Sequence, residues 1–104
     1  MKVNIPGHNY ELANFENKEA KGQILQFIQK EPSSSEPTRL ITIHDGTTNE
    51  EVLKVLINRM ESLQAKFPCR ENAIALTHME ESLMWLDKRT ADRIKRSVEG
   101  KQLS

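Results

Sequence analysis

Apolar residues recur at alternating intervals of three and four positions after residue 51, as they do along one side of an amphipathic helix. The stripe consists of Leu53, Leu56, Met60, Leu63 and Phe67, with Val52 and Val55 beside it. Residues 45–51 read DGTTNEE, in which either threonine can serve as the N-cap with a glutamate three positions later. Pro68 lacks a backbone N–H and disfavours helical angles at Phe67, so we expect the helix to end near Lys66.

A second apolar stripe follows after a connection too short for anything but a helical hairpin. Its members are Leu76, Met79, Leu83 and Leu86, with Ile74 and Trp85 on its flanks. We expect Pro68 in the first turn of this helix, where a missing N–H costs nothing, and an end near Val98. Beyond Leu86 the stripe meets Thr90 and Arg93, so the basic end of the helix either kinks or changes its packing partner.

The residues before the first helix favour β-structure. Residues 22–30 (GQILQFIQK) and 39–44 (RLITIH) are apolar or β-branched runs bounded by glycine and proline, and we predict a strand in each. The PSSSEP segment at 32–37 predicts a hairpin loop between them, and residues 8–15 are a candidate third strand at the edge. The predicted fold class is therefore α+β, with a small antiparallel sheet of two or three strands followed by a long antiparallel helical hairpin.

The predicted organisation is an N-terminal β region over residues 1–44, a helical hairpin domain over 45–100 and a tail over 101–104. Of the 104 residues, 37% are hydrophobic and 5% aromatic, which leaves little material for a core within one chain. Burial of apolar surface stabilises a fold by about 25 cal/mol per Å², whereas the loss of conformational entropy costs about 1–2 kcal/mol per residue. For two helices and a few short strands these contributions nearly cancel, so we expect a lone protomer to be barely stable. We expect at least a dimer, formed through the hairpin.

The charges of the chain balance, with 15 Lys and Arg against 15 Asp and Glu. A net charge of zero argues against indiscriminate binding to nucleic acid. The sequence has no apolar stretch of the roughly 18 residues needed to span a membrane, and the first residues lack the apolar region of a signal peptide. The single cysteine, Cys69, cannot form an internal disulfide. These features predict a protein of the cytoplasm without membrane association.

Residue types that carry catalysis are not arranged in a catalytic pattern. The four glycines are scattered, whereas phosphate-cradling loops need closely spaced glycines. His8, His44 and His78 do not form a zinc-ligand set. Cys69 has Arg70 beside it, but a thiol nucleophile also needs a positioned base. We therefore expect no enzymatic activity, no bound metal and no cofactor.

A cationic cluster near the end of the second helix is the first candidate binding site. Arg89, Arg93 and Arg96 are spaced i, i+4 and i+7 on one helical face, with Lys88 and Lys95 beside them. Guanidinium groups bind phosphate through two parallel hydrogen bonds and stack on bases. The alternative is that these are ordinary C-terminal cations favoured by the helix dipole and partly neutralised by nearby carboxylates.

The tip of the predicted hairpin is the second candidate. Phe67, Arg70 and Asn72 offer a stacking surface, a phosphate donor and an amide that can bind a base edge. The alternative is a hydrophobic plug followed by a polar turn. In an antiparallel dimer, the tip of one hairpin would approach the basic segment of its neighbour, so neither cluster would form a complete site alone.

Residues 44–100 resemble the helical hairpin domain of small phage anti-defence proteins that sequester cyclic nucleotide signals of the Thoeris and CBASS immune systems. The motifs that carry this resemblance are DGTTNEEVL, KFPCREN and MWLDKRTADR. The predicted N-terminal strands make the chain more similar to the anti-Thoeris branch than to the all-helical anti-CBASS branch.

The resemblance implies a hexamer built from hairpin dimers that binds its ligand without cleaving it. The implied ligands are cyclic ADP-ribose isomers or cyclic oligonucleotides. Arg89 and Arg93 would bind the phosphates, Asn72 would bind a base edge, and Arg39 and Phe15 would close the pocket. Two other functions stay open on the sequence alone. One is a nucleic-acid-binding accessory protein, and the other is a helical module that blocks a host protein.

Overall fold

The computed structural model describes residues 1–96, and the chain divides into two compact units. The first unit is Met1–Thr48, and the second begins at Asn49. The first contains short strands and the second contains two helices, which confirms the predicted α+β class. The predicted helix end at Val98 and the predicted tail at 101–104 lie outside the described residues.

Three strands of the first unit form an antiparallel sheet with the order β1-β2-β3. They are β1 (Lys2–Ile5), β2 (Asn9–Leu12) and β3 (Gln23–Gln26). Gly7, between β1 and β2, has a φ of 81°, which glycine adopts without steric penalty. The predicted edge strand at 8–15 is therefore the central strand of this sheet, because β1, which we did not predict, pairs with its outer side. Val3 and Ile5 alternate with polar residues before Pro6, a signal that identifies β1.

The other two strands form a separate antiparallel hairpin. They are β4 (Gln29–Pro32) and β5 (Leu40–His44), which pair from Pro32 opposite Leu40 to Gln29 opposite His44. The predicted loop at 32–37 does connect them, and the backbone N–H of Ser33 donates to the carbonyl oxygen of Arg39 at 2.8 Å. The first unit thus has two small sheets instead of the single predicted sheet.

The predicted strand at 22–30 was wrong as one element, because its backbone changes partners midway. The N–H of Phe27 donates to the carbonyl oxygen of His8 (2.7 Å), whereas the N–H of Ile28 donates to that of Thr47 (2.9 Å). A Cβ at Gly46 would collide with the carbonyl oxygen of Gln26, so a glycine is required at this close approach. The residues between β3 and β4 therefore lead the chain from one sheet to the other.

The second unit is the predicted helical hairpin, with α1 at Asn49–Lys66 and α2 at Arg70–Lys95. α1 begins directly after Thr48 and carries Glu50 and Glu51 in its first turn, where carboxylates suit the helix dipole. α2 is a continuous helix through the basic segment to Lys95.

The turn between the helices is held by side-chain contacts to the backbone of Cys69. Nε2 of Gln64 donates to the carbonyl oxygen of Cys69 (3.0 Å), and Oε1 of Gln64 accepts from its N–H (3.1 Å). Cys69 is the N-cap of α2, and its Sγ accepts a hydrogen bond from the N–H of Asn72 at 3.4 Å. The prediction that Pro68 lies in the first turn of α2 was wrong, since Pro68 precedes the N-cap.

We call the contact between the facing sides of α1 and α2 the seam. Its residues recur at alternating intervals of three and four, as in a heptad repeat. On α2 the seam positions are Asn72, Leu76, Met79, Leu83, Leu86 and Thr90, which are partly buried, and Arg93, which is buried. On α1 they are the partly buried Glu50, Leu53, Ile57, Met60 and Gln64. Ala75 on α2 and Val52 and Leu63 on α1 are also partly buried, outside this spacing. Of the predicted α1 stripe, Leu56 and Phe67 are exposed, at 43% and 78%. Ile57 and Gln64 lie in the seam instead. Successive residues of a helix are about 100° apart, so the seam lies roughly a quarter turn around α1 from Leu56.

Within residues 1–96, no apolar side chain is buried, and Arg93, at 6% exposure, is the single buried residue. Large apolar side chains such as Phe15, Val55 and Trp85 are more than half exposed. No helix in this part of the chain is long and apolar enough to cross a bilayer. The described parts of the two units therefore lack an apolar interior of the kind that stabilises a small monomer.

Candidate functional site

The basic segment of α2 presents one stripe of side chains around an open surface depression of about 250 Å³. We call this the basic stripe, and its members are Trp85, Lys88, Arg89, Asp92 and Arg96. They share a face because the spacing of i, i+3, i+4, i+7 and i+11 brings each side chain back to the same side of a helix. The stripe lies away from the α1–α2 seam, so its cations face solvent in the single chain.

The charges within the basic stripe are partly paired. Nζ of Lys88 lies 2.8 Å from Oδ2 of Asp92, with side-chain exposures of 60% and 53%. Within the described residues, no carboxylate is paired with Arg89 or Arg96. Each of the two guanidinium groups can form two parallel hydrogen bonds to a phosphate.

Arg93 occupies a different environment from the two arginines with which it was predicted to act. It is 6% exposed, whereas Arg89 and Arg96 are exposed. Arg93 is four residues after Arg89 and three after Thr90, so it lies between the basic stripe and the seam. It interacts with at least one other group of the protein. The structure thus brings Arg89 and Arg96 together and separates Arg93 from them by burial, and its role in ligand binding stays a prediction.

The three predicted residues at the hairpin tip lie at the opposite end of α2. Phe67 is 78% exposed, Arg70 is exposed, and Asn72 is partly buried. At a rise of 1.5 Å per residue, about 26 Å of helix separates Asn72 from Arg89. One protomer therefore does not bring the tip and the basic stripe to the same small ligand.

Phe15 and Arg39 belong to the first unit. Phe15 lies in the connection between β2 and β3 and is 92% exposed. Arg39 directly precedes β5 and is exposed, and its N–H donates to the carbonyl oxygen of Glu36 at 2.9 Å. Both side chains are available to a ligand, and their predicted role in closing a pocket stays a prediction.

The structure adds two residues to the candidate site, Trp85 and Asp92. Trp85 was predicted only as a flank of the apolar stripe, yet it is 61% exposed and lines the depression with Arg89. Its spacing of four residues before Arg89 was a signal for this arrangement. Asp92 is a carboxylate within the cationic face, paired with Lys88. Among the described residues, no three His, Cys, Asp or Glu side chains are grouped as metal ligands would be.

Comparison with known proteins extends the resemblance into the strands. Residues 24–91 match the family model described as the Acb2/Tad1 hairpin domain, so the match begins in β3. The chain is also 51% identical over 57 residues to Thoeris anti-defense 1 of Bacillus phage SBSphiJ7. That alignment covers 54% of this chain and 40% of the relative, so the chain spans about two fifths of the length of the curated relative it matches. The predicted resemblance is confirmed: the chain belongs to the Acb2/Tad1 hairpin domain family.

Proposed function

We propose that this protein is a phage-encoded anti-defence protein that binds a cyclic nucleotide immune signal and withholds it from the host receptor. The observation that carries this proposal is its 51% identity to Thoeris anti-defense 1, within a match to the family's hairpin domain. The ligand would be a cyclic ADP-ribose isomer or a cyclic oligonucleotide, and the defence that is blocked would be of the Thoeris or CBASS type. The protein would act in the cytoplasm of the infected cell.

The chemistry of the basic stripe supports a small phosphorylated ligand. Arg89 and Arg96 provide two guanidinium groups, while the whole chain has a net charge of zero. A neutral protein exerts weak long-range attraction on nucleic acid, but local guanidinium groups still bind the phosphates of a small molecule. Capture by such a site is stoichiometric, so it requires tight binding and no catalytic group.

We propose that the binding unit is a homo-oligomer, at least a dimer and in the family arrangement a hexamer. The absence of buried apolar side chains in residues 1–96 supports this assembly, because a second copy would cover the exposed apolar faces. The separation of Asn72 from Arg89 along α2 also supports it. In an antiparallel pair of hairpins, the tip of one copy would complete the basic stripe of the other.

The proposal is tested by native mass spectrometry of the purified protein with cyclic ADP-ribose and a panel of cyclic di- and trinucleotides. We expect one or more members of the panel to remain bound to the intact oligomer, and heating to release that nucleotide with unchanged mass. A hydrolysed product would contradict sequestration. Tight, steeply salt-dependent binding to DNA or RNA would instead support the nucleic-acid function. A stable complex with a host protein, without any nucleotide bound, would support the interaction module.

A matched pair of variants tests the site itself. We expect Arg89→Ala to weaken nucleotide binding at least about tenfold, since a hydrogen bond to a charged group contributes about 1.5–3 kcal/mol. The oligomer mass should stay the same. Arg59→Ala removes another exposed arginine, from α1, and should leave binding unchanged. Equal losses in both variants, or dissociation of Arg89→Ala, would show that Arg89 does not act as a ligand residue.

A further inference from the structure

Packing between α1 and α2 does not explain why a tryptophan stands at position 85. Its neighbours Leu83 and Leu86 occupy seam positions and are partly buried, whereas Trp85 lies on another face and is 61% exposed. Its ring is a large apolar surface that the single chain leaves in contact with water. The same side chain lines the depression of the basic stripe.

The helix places this ring in line with the two available guanidinium groups. Arg89 is one turn beyond Trp85, about 6 Å along the axis, and Arg96 is about 16 Å along it. A flat aromatic surface followed by cationic forks is the arrangement with which proteins bind a base and its attached phosphates. Lys88 is paired with Asp92 at 2.8 Å, whereas Arg89 and Arg96 have no such carboxylate partner among the described residues.

We propose that Trp85 is the stacking platform for a nucleobase of the captured signal, while Arg89 and Arg96 hold its phosphates. This inference rests on the proposed function and adds to it the residue that recognises the base. A stacked ring has no hydrogen-bonding preference, so Trp85 binds the face of the base and leaves its identity to other groups. The ligand class is a phosphorylated nucleotide with at least one exposed base face.

The protein has a single tryptophan, so its fluorescence reports on this position alone. We titrate the purified protein with cyclic ADP-ribose and with cyclic di-AMP, and measure bound nucleotide in parallel by native mass spectrometry. The expected result is saturable quenching with the same midpoint as the appearance of the nucleotide-bound mass. Ribose 5-phosphate, which has a phosphate but no base, should bind much more weakly and cause little quenching.

Variants at Trp85 separate stacking from general packing. Trp85→Phe keeps an aromatic face and should bind the nucleotide within about threefold of the wild type, whereas Trp85→Leu should lose about tenfold or more. Trp85→Leu should leave the weak binding of ribose 5-phosphate unchanged. The control is Met84→Ala, which removes an exposed apolar side chain next to Trp85 that does not line the basic stripe. It should bind like the wild type.

The outcomes distinguish this inference from the function on which it rests. If mass spectrometry shows bound nucleotide while fluorescence stays constant and Trp85→Leu binds normally, the stacking role is overturned and the proposed function stands. If the wild type binds no nucleotide in either assay, the proposed function fails and the stacking role fails with it. If Trp85→Leu or Trp85→Phe dissociates the oligomer, Trp85 is an interface residue, and the inference is overturned.

Discussion

At the scale of single residues, three arginines of α2 with similar spacing differ in how much of each side chain is exposed. Arg89 and Arg96 are exposed and line one depression, whereas Arg93 is 6% exposed beside the seam. A buried guanidinium keeps its charge and depends on the groups that interact with it, whereas an exposed one is solvated by water. The three arginines therefore differ in what each contributes to folding.

We expect Arg93→Ala to lower the free energy of unfolding by about 1.5–3 kcal/mol, because it removes a buried charged side chain together with its interactions. Arg96→Ala, at an exposed position three residues later, should change it by less than about 0.5 kcal/mol. Chemical denaturation followed by circular dichroism measures both values. An unchanged midpoint for Arg93→Ala would show that its burial does not stabilise the hairpin.

At the scale of elements, the hairpin turn depends on a short set of contacts around Cys69. The side chain of Gln64 forms two hydrogen bonds with the backbone of Cys69, and the thiol caps α2. Pro68 before the cap cannot extend α1. The turn thus ends one helix and starts the next within three residues that lie outside both helices.

The N-cap can be tested by exchanging its acceptor atom. Cys69→Ser supplies a hydroxyl, a preferred N-cap acceptor, and should leave the protein as stable as the wild type or more stable. Cys69→Ala removes the acceptor and should lower the free energy of unfolding by about 0.5–1 kcal/mol relative to Cys69→Ser. Thermal unfolding at equal protein concentration measures the difference. Equal stability of the serine and alanine variants would exclude a capping role for the thiol.

At the scale of the whole molecule, the two units share one property: within residues 1–96, neither buries an apolar side chain. In the hairpin, Val55 and Leu56 are 63% and 43% exposed on the outer side of α1. Removing such surface from water stabilises an assembly by about 25 cal/mol per Å². The outer side of α1 is thus suited to contact another copy of the chain.

A charge placed on that outer side should therefore weaken the proposed assembly. We expect Leu56→Glu to shift the protein to a smaller oligomer by light scattering, while circular dichroism at the same concentration still shows helix. Lys54→Glu introduces the same side chain on the opposite side of α1 and should keep the wild-type mass. If both variants keep that mass, α1 does not use this side for assembly.

Local pattern was sufficient for both helices and for β5. The three-and-four spacing located both helices, Pro68 marked the end of α1, and the β-branched run near Ile41 located β5. The spacing predicted one face for Arg89, Arg93 and Arg96. Arg89 and Arg96 line the same depression, whereas Arg93 is buried and does not. The helices and β5 depend on backbone periodicity and local sterics, which neighbouring residues control.

The tertiary structure decided where several elements divide and which face of each is covered. Residues 22–30 belong to two sheets because the N–H groups of Phe27 and Ile28 bond to distant carbonyls, which local propensity does not specify. On α1, adjacent apolar stripes compete, and only the partner helix selects Ile57 over Leu56 for the seam. The same packing buries Arg93 and leaves Trp85 exposed. The sequence by itself determined the two helices, β5 and the charges of the basic stripe, whereas the division of the strands and the burial of side chains follow from contacts between residues far apart along the chain.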